Sequence, residues 1–183
     1  MLNLKFNPFP ELKTERLLLR QVLPTDVALV LKIRGNEEAM RYIPRQRAKT
    51  TEDALGVIAM LTSGIKEGKS INWAICNKNR PTEVYGIMGY VNFYPAQAKA
   101  EIGYMLHPDY WGKGYIPEAI KEVEKFGFEV VKLQAIEAKI DPRNENSRKI
   151  LLRNHYTFDR LVQKEMVFQE EELDSEYYIK YKP

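Results

Sequence analysis

The sequence predicts an α+β fold in one domain spanning residues 1–183, with a mixed, mostly antiparallel seven-stranded sheet flanked by about four helices. Three observations lead there. Strand-like and helix-like segments follow one another in the order β-α-α-β-β-β-α-β-α-β-β. Three consecutive strand-like segments, separated by hairpin-length polar breaks, form a meander. A β-α-β crossover follows it, which implies a mixed sheet with helices packed against it.

The elements can be justified in order. RLLLRQV (16–22) reads as a strand. PTDVALVLKIRGN follows, with Thr25 or Asp26 as N-cap and Gly35 as helix stop. MRYIPRQ reads as a loop. The next helix opens on Thr50-x-x-Asp53, a capping-box signal, and carries Leu55, Ile58, Leu61 and Ile65 at helical spacing. INWAICNK (71–78), VYGIMGYVNFY (84–94) and KAEIGYMLH (99–107) are the three meander strands. Ile116, Ala119, Ile120, Val123, Phe126, Val130 and Val131 then recur every three to four residues, as on an amphipathic helix. LQAIEAKI (133–140) is a strand, NENSRKILLRN (144–154) a short helix, and two strand-like stretches end the chain.

Bulk properties exclude several function classes. At 183 residues one core can bury roughly 70% of the unfolded surface, so no staples are needed. The 28 basic and 25 acidic residues leave a net charge of +3, too balanced for a nucleic-acid binder but hospitable to a small anion. A single cysteine, Cys76, in the apolar run INWAIC, reads as a buried small hydrophobe and fits a cytoplasmic location. No apolar run approaches the ~18 residues of a membrane span, and the first residues do not resemble a signal peptide. The two histidines, His107 and His155, stand apart from any cysteine or carboxylate cluster, so no metal is expected.

The chemistry concentrates at DYWGKGYIPEA (109–119). A Walker-type loop would need a hydroxyl after its lysine, but Gly114 follows Lys113. A dinucleotide fingerprint would need a third glycine where Pro117 stands, and would follow the first strand of a parallel unit. Gly112 and Gly114 still permit close backbone approach, and the helix N-terminus after them offers unpaired amides and a positive dipole end. Two readings therefore remain: a pyrophosphate cradle or an ordinary glycine-rich strand–helix turn.

AEIGYMLHPDYWGKGYIPEA resembles the central motif of the GCN5-related N-acetyltransferases (GNAT), whose Q/R-x-x-G-x-G/A loop binds the pyrophosphate of acetyl-CoA. WGKGY followed by EA, TERLLLR (14–20) and NENSRKILLRNHYTF resemble the Rim-type branch that contains ribosomal-protein alanine N-acetyltransferases. The resemblance covers roughly residues 11 to 170 in the expected order. It implies transfer of an acetyl group from acetyl-CoA, as co-substrate and without a metal, to an amine acceptor. The acceptor is either a protein N-terminus or a small molecule, and the protein a monomer or homodimer.

Carried over by position, the resemblance places Tyr110, Trp111, Gly112, Lys113, Gly114, Tyr115 and Ile116 around the pyrophosphate. Met105 and Leu106 would pair with the pantetheine arm as a β-strand would, and Asn144 and Ser147 would lie near the thioester. Ile116 stands where the family has a small residue. His155 stands at a glycine position, which calls for a positive φ.

Glu101, mid-strand and opposite the Ala100–Ile102–Tyr104–Leu106 face, is either the general base, acting through water as the resemblance implies, or a solvated strand glutamate. Ser147 is either a donor to the departing sulfur or a plain helix-start serine. Tyr156 is either a second acid or a packing residue. Tyr42 and Arg45 are either acceptor contacts or ordinary surface residues. Deprotonating an α-amine of pKa about 8 at pH 7 costs only about 1.4 kcal/mol, against about 4.6 kcal/mol for a lysine. That difference favours an α-amino acceptor. The rival class is a non-catalytic acyl-CoA sensor or scaffold.

Overall fold

The computed structural model describes residues 1–183. Its first half contains β1 (Leu12–Lys13), β2 (Leu17–Gln21), α1 (Val27–Gly35), α2 (Glu37–Met40), α3 (Thr51–Lys66), β3 (Ile71–Asn77) and β4 (Arg80–Tyr94). The second half contains β5 (Lys99–Leu106), α4 (Tyr115–Phe126), β6 (Ala135–Ile140), α5 (Glu145–Arg153), β7 (Thr157–Phe168) and β8 (Glu171–Tyr181). The strands join one sheet in the order β1-β2-β3-β4-β5-β6-β8-β7. Only β5 and β6 run parallel; the other pairs are antiparallel.

Alternation along the central strands builds two cores. Leu17, Leu19, Ile71, Trp73 and Ile75 pack with α4 on one face, while Leu18, Ala74 and Cys76 pack with α1 and α3 on the other. Cys76 is a buried free thiol whose pKa burial pushes up to about 12, so it behaves as a small hydrophobe.

The structure departs from the sequence expectations in five places. The sheet has eight strands rather than seven, because Leu12 and Lys13 add a two-residue edge strand to β2. A one-turn helix, α2, lies in and before the segment read as a loop; the Asn36 side chain caps it at Ala39 N. Leu55 is exposed; Ala54 takes its place beside the expected Ile58 in the buried stripe of α3. Asp26 precedes α1 but caps nothing there; its carboxylate turns back to Leu23 N and Arg20.

The fifth departure has a clear packing cause. The α4 pattern ends at Phe126 and continues as a π-helical turn over Gly127–Val131. The Tyr90 hydroxyl donates to the Val123 carbonyl at 2.7 Å and fills the space a Gly127 Cβ would need, only 2.1 Å away. The turn widens there, the phase shifts, and Val130 is left exposed. By contrast, the Thr50 and Asp53 side chains form the expected reciprocal capping box.

Arg20 and Asp26 form a two-pronged ion pair, both contacts 2.8 Å, with side chains only 12% and 7% exposed. Burial alone would raise the Asp26 pKa, but hydrogen bonds from Arg20 and Leu23 N outweigh it and hold the carboxyl below its ordinary range. Asp26→Asn is expected to destabilise the fold by about 2–3 kcal/mol at pH 7, because Arg20 keeps the Gln21 and Pro81 carbonyls as acceptors. Because the folded-state pKa is depressed, the difference from wild type should shrink as pH falls below about 4. Denaturant titrations at both pH values measure it.

Candidate active site

The site forms where the parallel pair comes apart. β5 and β6 are in register from Lys99–Ala135 to Ile102–Ala138, and no pairing continues beyond. Gly103–Leu106 and Lys139–Ile140 diverge and leave a cleft of about 1130 Å³. Glu101, Tyr104, Met105, Asn144 and Ser147 line it, and so do Tyr42 and Arg45 from the α2–α3 loop.

The free edge of β5 has a definite polarity. His107 N donates to Tyr85 O, and Leu106 is opposite Gly86 in the next, non-hydrogen-bonded pair. Leu106 therefore turns its backbone away from β4, towards the open side. Its carbonyl already accepts from the Trp111 indole at 3.0 Å. Met105 directs its backbone at β4 and gives the cleft only its side chain.

Beyond Leu106 the chain makes the turn that the glycines require. Gly112 and Gly114 adopt φ of +72° and +76°, in the region that side chains other than glycine rarely enter. Gly114 immediately precedes α4, and Pro117 sits in the first turn, where its missing N–H loses no bond. The amides of Lys113, Gly114, Tyr115 and Ile116 donate to no protein acceptor, so four donors face outward at the helix N-terminus. Ile116 is buried in the core under the loop. The Tyr85 ring stacks on Tyr115 with centroids 4.7 Å apart, and lies 4.3 Å from the Tyr110 ring. The Lys113 ammonium sits over the Tyr110 face.

The acid–base candidates are held differently. Glu101 accepts from Asn92 Nδ2 at 3.2 Å and from the Tyr94 hydroxyl at 3.1 Å, and is in no ion pair. A bulge in β4 between Tyr90 and Asn92 brings Asn92 opposite Glu101. Burial and the neighbouring carboxylate push the Tyr94 pKa up to about 12, so the phenol keeps its proton and donates it. Asn144 caps α5 by accepting from Ser147 N at 3.1 Å, which fixes Ser147 at the cleft edge. Tyr156 is placed elsewhere. It is buried in the core with a hydroxyl that has no hydrogen-bond partner, and it does not line the cleft. His155 takes the positive φ expected of its position, +65°.

Residues 16–157 match the family model described as an acetyltransferase (GNAT) domain. The chain belongs to the GNAT acetyltransferase family. It is 29% identical to the N-acetyltransferase YoaA of Bacillus subtilis over 175 residues, covering 96% of this chain and 98% of YoaA. It is 32% identical to the N-acetyltransferase p20 of Bacillus licheniformis over 140 residues, covering 76% and 78% of the two chains. The fold matches the ribosomal-protein α-N-acetyltransferase RimL in complex with coenzyme A. The TM-score is 0.84 at 18% identity, over 94% of this chain and 98% of that one. The protein is accordingly an acyltransferase.

The GNAT fold also explains residues to which the sequence assigned no role. Glu118 of the EA pair accepts from Arg16 N at 2.9 Å and Arg16 Nε at 2.6 Å, and from the Thr14 hydroxyl. Arg16 also donates to the Lys113 carbonyl at 3.0 Å and lies over the Tyr115 ring. The TER and EA segments thus brace the glycine loop from outside. Tyr104 alternates with the core-face residues in sequence, yet its buried, unpartnered hydroxyl faces Ser147, and burial raises its pKa to about 12. Its signal was hidden, because a tyrosine alternating with apolar residues reads as packing. No group of three or more His, Cys, Asp or Glu side chains is placed to hold a metal.

Proposed function

We propose that this GNAT protein transfers an acetyl group from acetyl-CoA to a primary amine by direct attack, with an α-amine as the preferred acceptor. The observation that carries the reading is the opening between β5 and β6, with free amides at one end and a carboxylate inside. The amides of Lys113 to Ile116 would take the pyrophosphate at the start of α4. The open edge at Leu106 would run beside the pantetheine arm, ending near Asn144 and Ser147.

Glu101 would take the proton of the acceptor amine. Two neutral donors orient it and leave it without a cation partner, which suits an amine that needs only about 1.4 kcal/mol to deprotonate. The amine nitrogen bonds to the acetyl carbonyl carbon, the carbon–sulfur bond breaks, and the thiolate leaves. Ser147, beside the protonated Tyr104 phenol, would supply a hydrogen bond or proton to that sulfur. Leu106 N–H would offer the carbonyl oxygen a donor as negative charge develops.

The reading is tested by thiol release from acetyl-CoA with a panel of peptides and small amines. Peptides with free N-termini should release thiol faster than lysine-like or polyamine acceptors; the reverse order removes the α-amine preference. Binding of acetyl-CoA with no release by any amine would support the sensor reading instead. Ser147→Ala is expected to lower kcat by about 10–100-fold with little change in acetyl-CoA KM, the loss of one hydrogen bond to a charged group. An unchanged kcat would remove Ser147 from the reaction.

A further inference from the structure

We infer that Arg34 and Arg45 form an anion-binding subsite in the acceptor half of the cleft, so that the acceptor carries a carboxylate or phosphate group besides its amine. The inference rests on the acetyl-transfer reading and names the acceptor class.

Arg34, in the last turn of α1, lines the cleft. It is in no ion pair, its Nε is buried without a hydrogen-bond partner, and its one polar contact is a weak one from Nη1 to Met105 Sδ at 4.0 Å. A half-buried guanidinium whose Nε is enclosed without an acceptor is costly to keep unless something else satisfies it. Arg45 increases that cost. The Arg34 carbonyl accepts from Ala48 N at 3.2 Å, and a side chain at Gly35 would meet Ala48 O at 2.8 Å, so the α2–α3 loop is clamped onto α1. Arg45 in this loop lines the same cleft, and it too lacks an ion pair. Burial and the repulsion from Arg45 together lower the Arg34 pKa.

The acidic side chains of the cleft do not answer these two cations. Glu67 pairs with Lys69 at 2.6 Å, Asp141 with Arg143 at 2.7 Å, and Asp174 accepts from Lys164 N at 2.8 Å. Glu101 is held by Asn92 and Tyr94. The cleft therefore presents two carboxylates without a cation partner, Glu101 and Asp174, to an ammonium, and two unpaired guanidiniums to an anion. Both charges of an amine-plus-anion acceptor find a partner, and arginine's fork suits carboxylate and phosphate alike.

The test compares matched acceptors in the thiol-release assay: amino acids against their carboxamides, and O-phosphoethanolamine against ethanolamine. Wild type should favour the anionic member of at least one pair by tenfold or more in kcat/KM, and the favoured pair tells carboxylate from phosphate. Arg34→Met should lower that ratio at least tenfold, with Arg34→Lys intermediate, while its melting temperature stays at or above the wild-type value. A wild-type ratio near one, or an Arg34→Met loss equal for both members, overturns the inference. A binding arm separates it from the parent reading. Succinate and inorganic phosphate, titrated separately against protein saturated with CoA, should raise the melting temperature of wild type but not of Arg34→Met. If that holds while no amine releases thiol, the subsite stands and the transfer reading falls; if neither anion stabilises wild type, the subsite falls.

Discussion

Glu101→Gln is expected to lower kcat/KM for the amine acceptor by about 10²–10³-fold at pH 7, the scale of a lost general base. The substitution keeps the size of the side chain and an oxygen for Asn92 Nδ2 and the Tyr94 hydroxyl, which now flank the carboxylate at 3.2 and 3.1 Å. It removes only the ability to take a proton. The deficit should therefore depend on pH. An α-amine of pKa about 8 becomes neutral unaided as the pH rises past that value, so the ratio of wild type to variant should contract towards pH 9. Thiol-release rates from pH 6 to 9.5 measure it. A deficit that stays constant across this range would mean that Glu101 positions the acceptor and does not take its proton. Tyr94→Phe supplies a milder companion, since it removes one donor to the same carboxylate.

Replacing both Gly112 and Gly114 by Ala is expected to weaken acetyl-CoA binding by about 10²-fold. Space is not the obstacle. A Cβ at Gly112 would meet nothing within 4 Å, and one at Gly114 would lie 3.5 Å from Arg16 Nη2. Conformation is the obstacle, because both residues hold φ above +70°. A side chain costs about 1–2 kcal/mol at each such position, and the loop can relieve that strain only by turning its amides out of alignment. Isothermal titration with acetyl-CoA measures the loss. S-acetylpantetheine, which lacks the pyrophosphate, should bind wild type and the double variant alike. Equal weakening towards both ligands would mean that the loop supports the fold and does not hold phosphate.

Much of this molecule could be read from spacing alone. The meander, the crossover and the Thr50–Asp53 cap follow from local patterns of two, three or four residues, and each reappears in the structure. The glycine loop was legible for a related reason. Positive φ is a backbone demand that glycine meets at no steric cost, so the residue type advertises the conformation. Local patterns fail where a distant residue intervenes. Val130 continues the apolar period of α4, but Tyr90 of β4 widens the turn at Gly127 and rotates Val130 outward. Asp26 has the composition of a cap, but Arg20 from β2 claims its carboxylate.

The candidate site divides the same way. Glu101, Ser147, Asn144 and the loop residues were named from sequence because their types and order resemble the GNAT motifs. Their surroundings had no sequence signal. The Asn92 and Tyr94 donors reach Glu101 through a bulge, and a bulge changes strand phase without changing composition. Tyr104 and Tyr156 look alike in sequence. One faces Ser147 at the cleft, and the other is enclosed in the core beside Glu124.

By itself the sequence determined the order of the main elements, apart from the edge strand β1 and the one-turn α2, the family, and the place where a glycine-rich turn meets a helix N-terminus, because each is written in residues close together along the chain. Only the tertiary structure decided where β5 and β6 part, which amides are left free, and that Arg34 lies in the cleft without a counter-ion. Those features depend on which groups lack a partner, and partners come from anywhere in the chain.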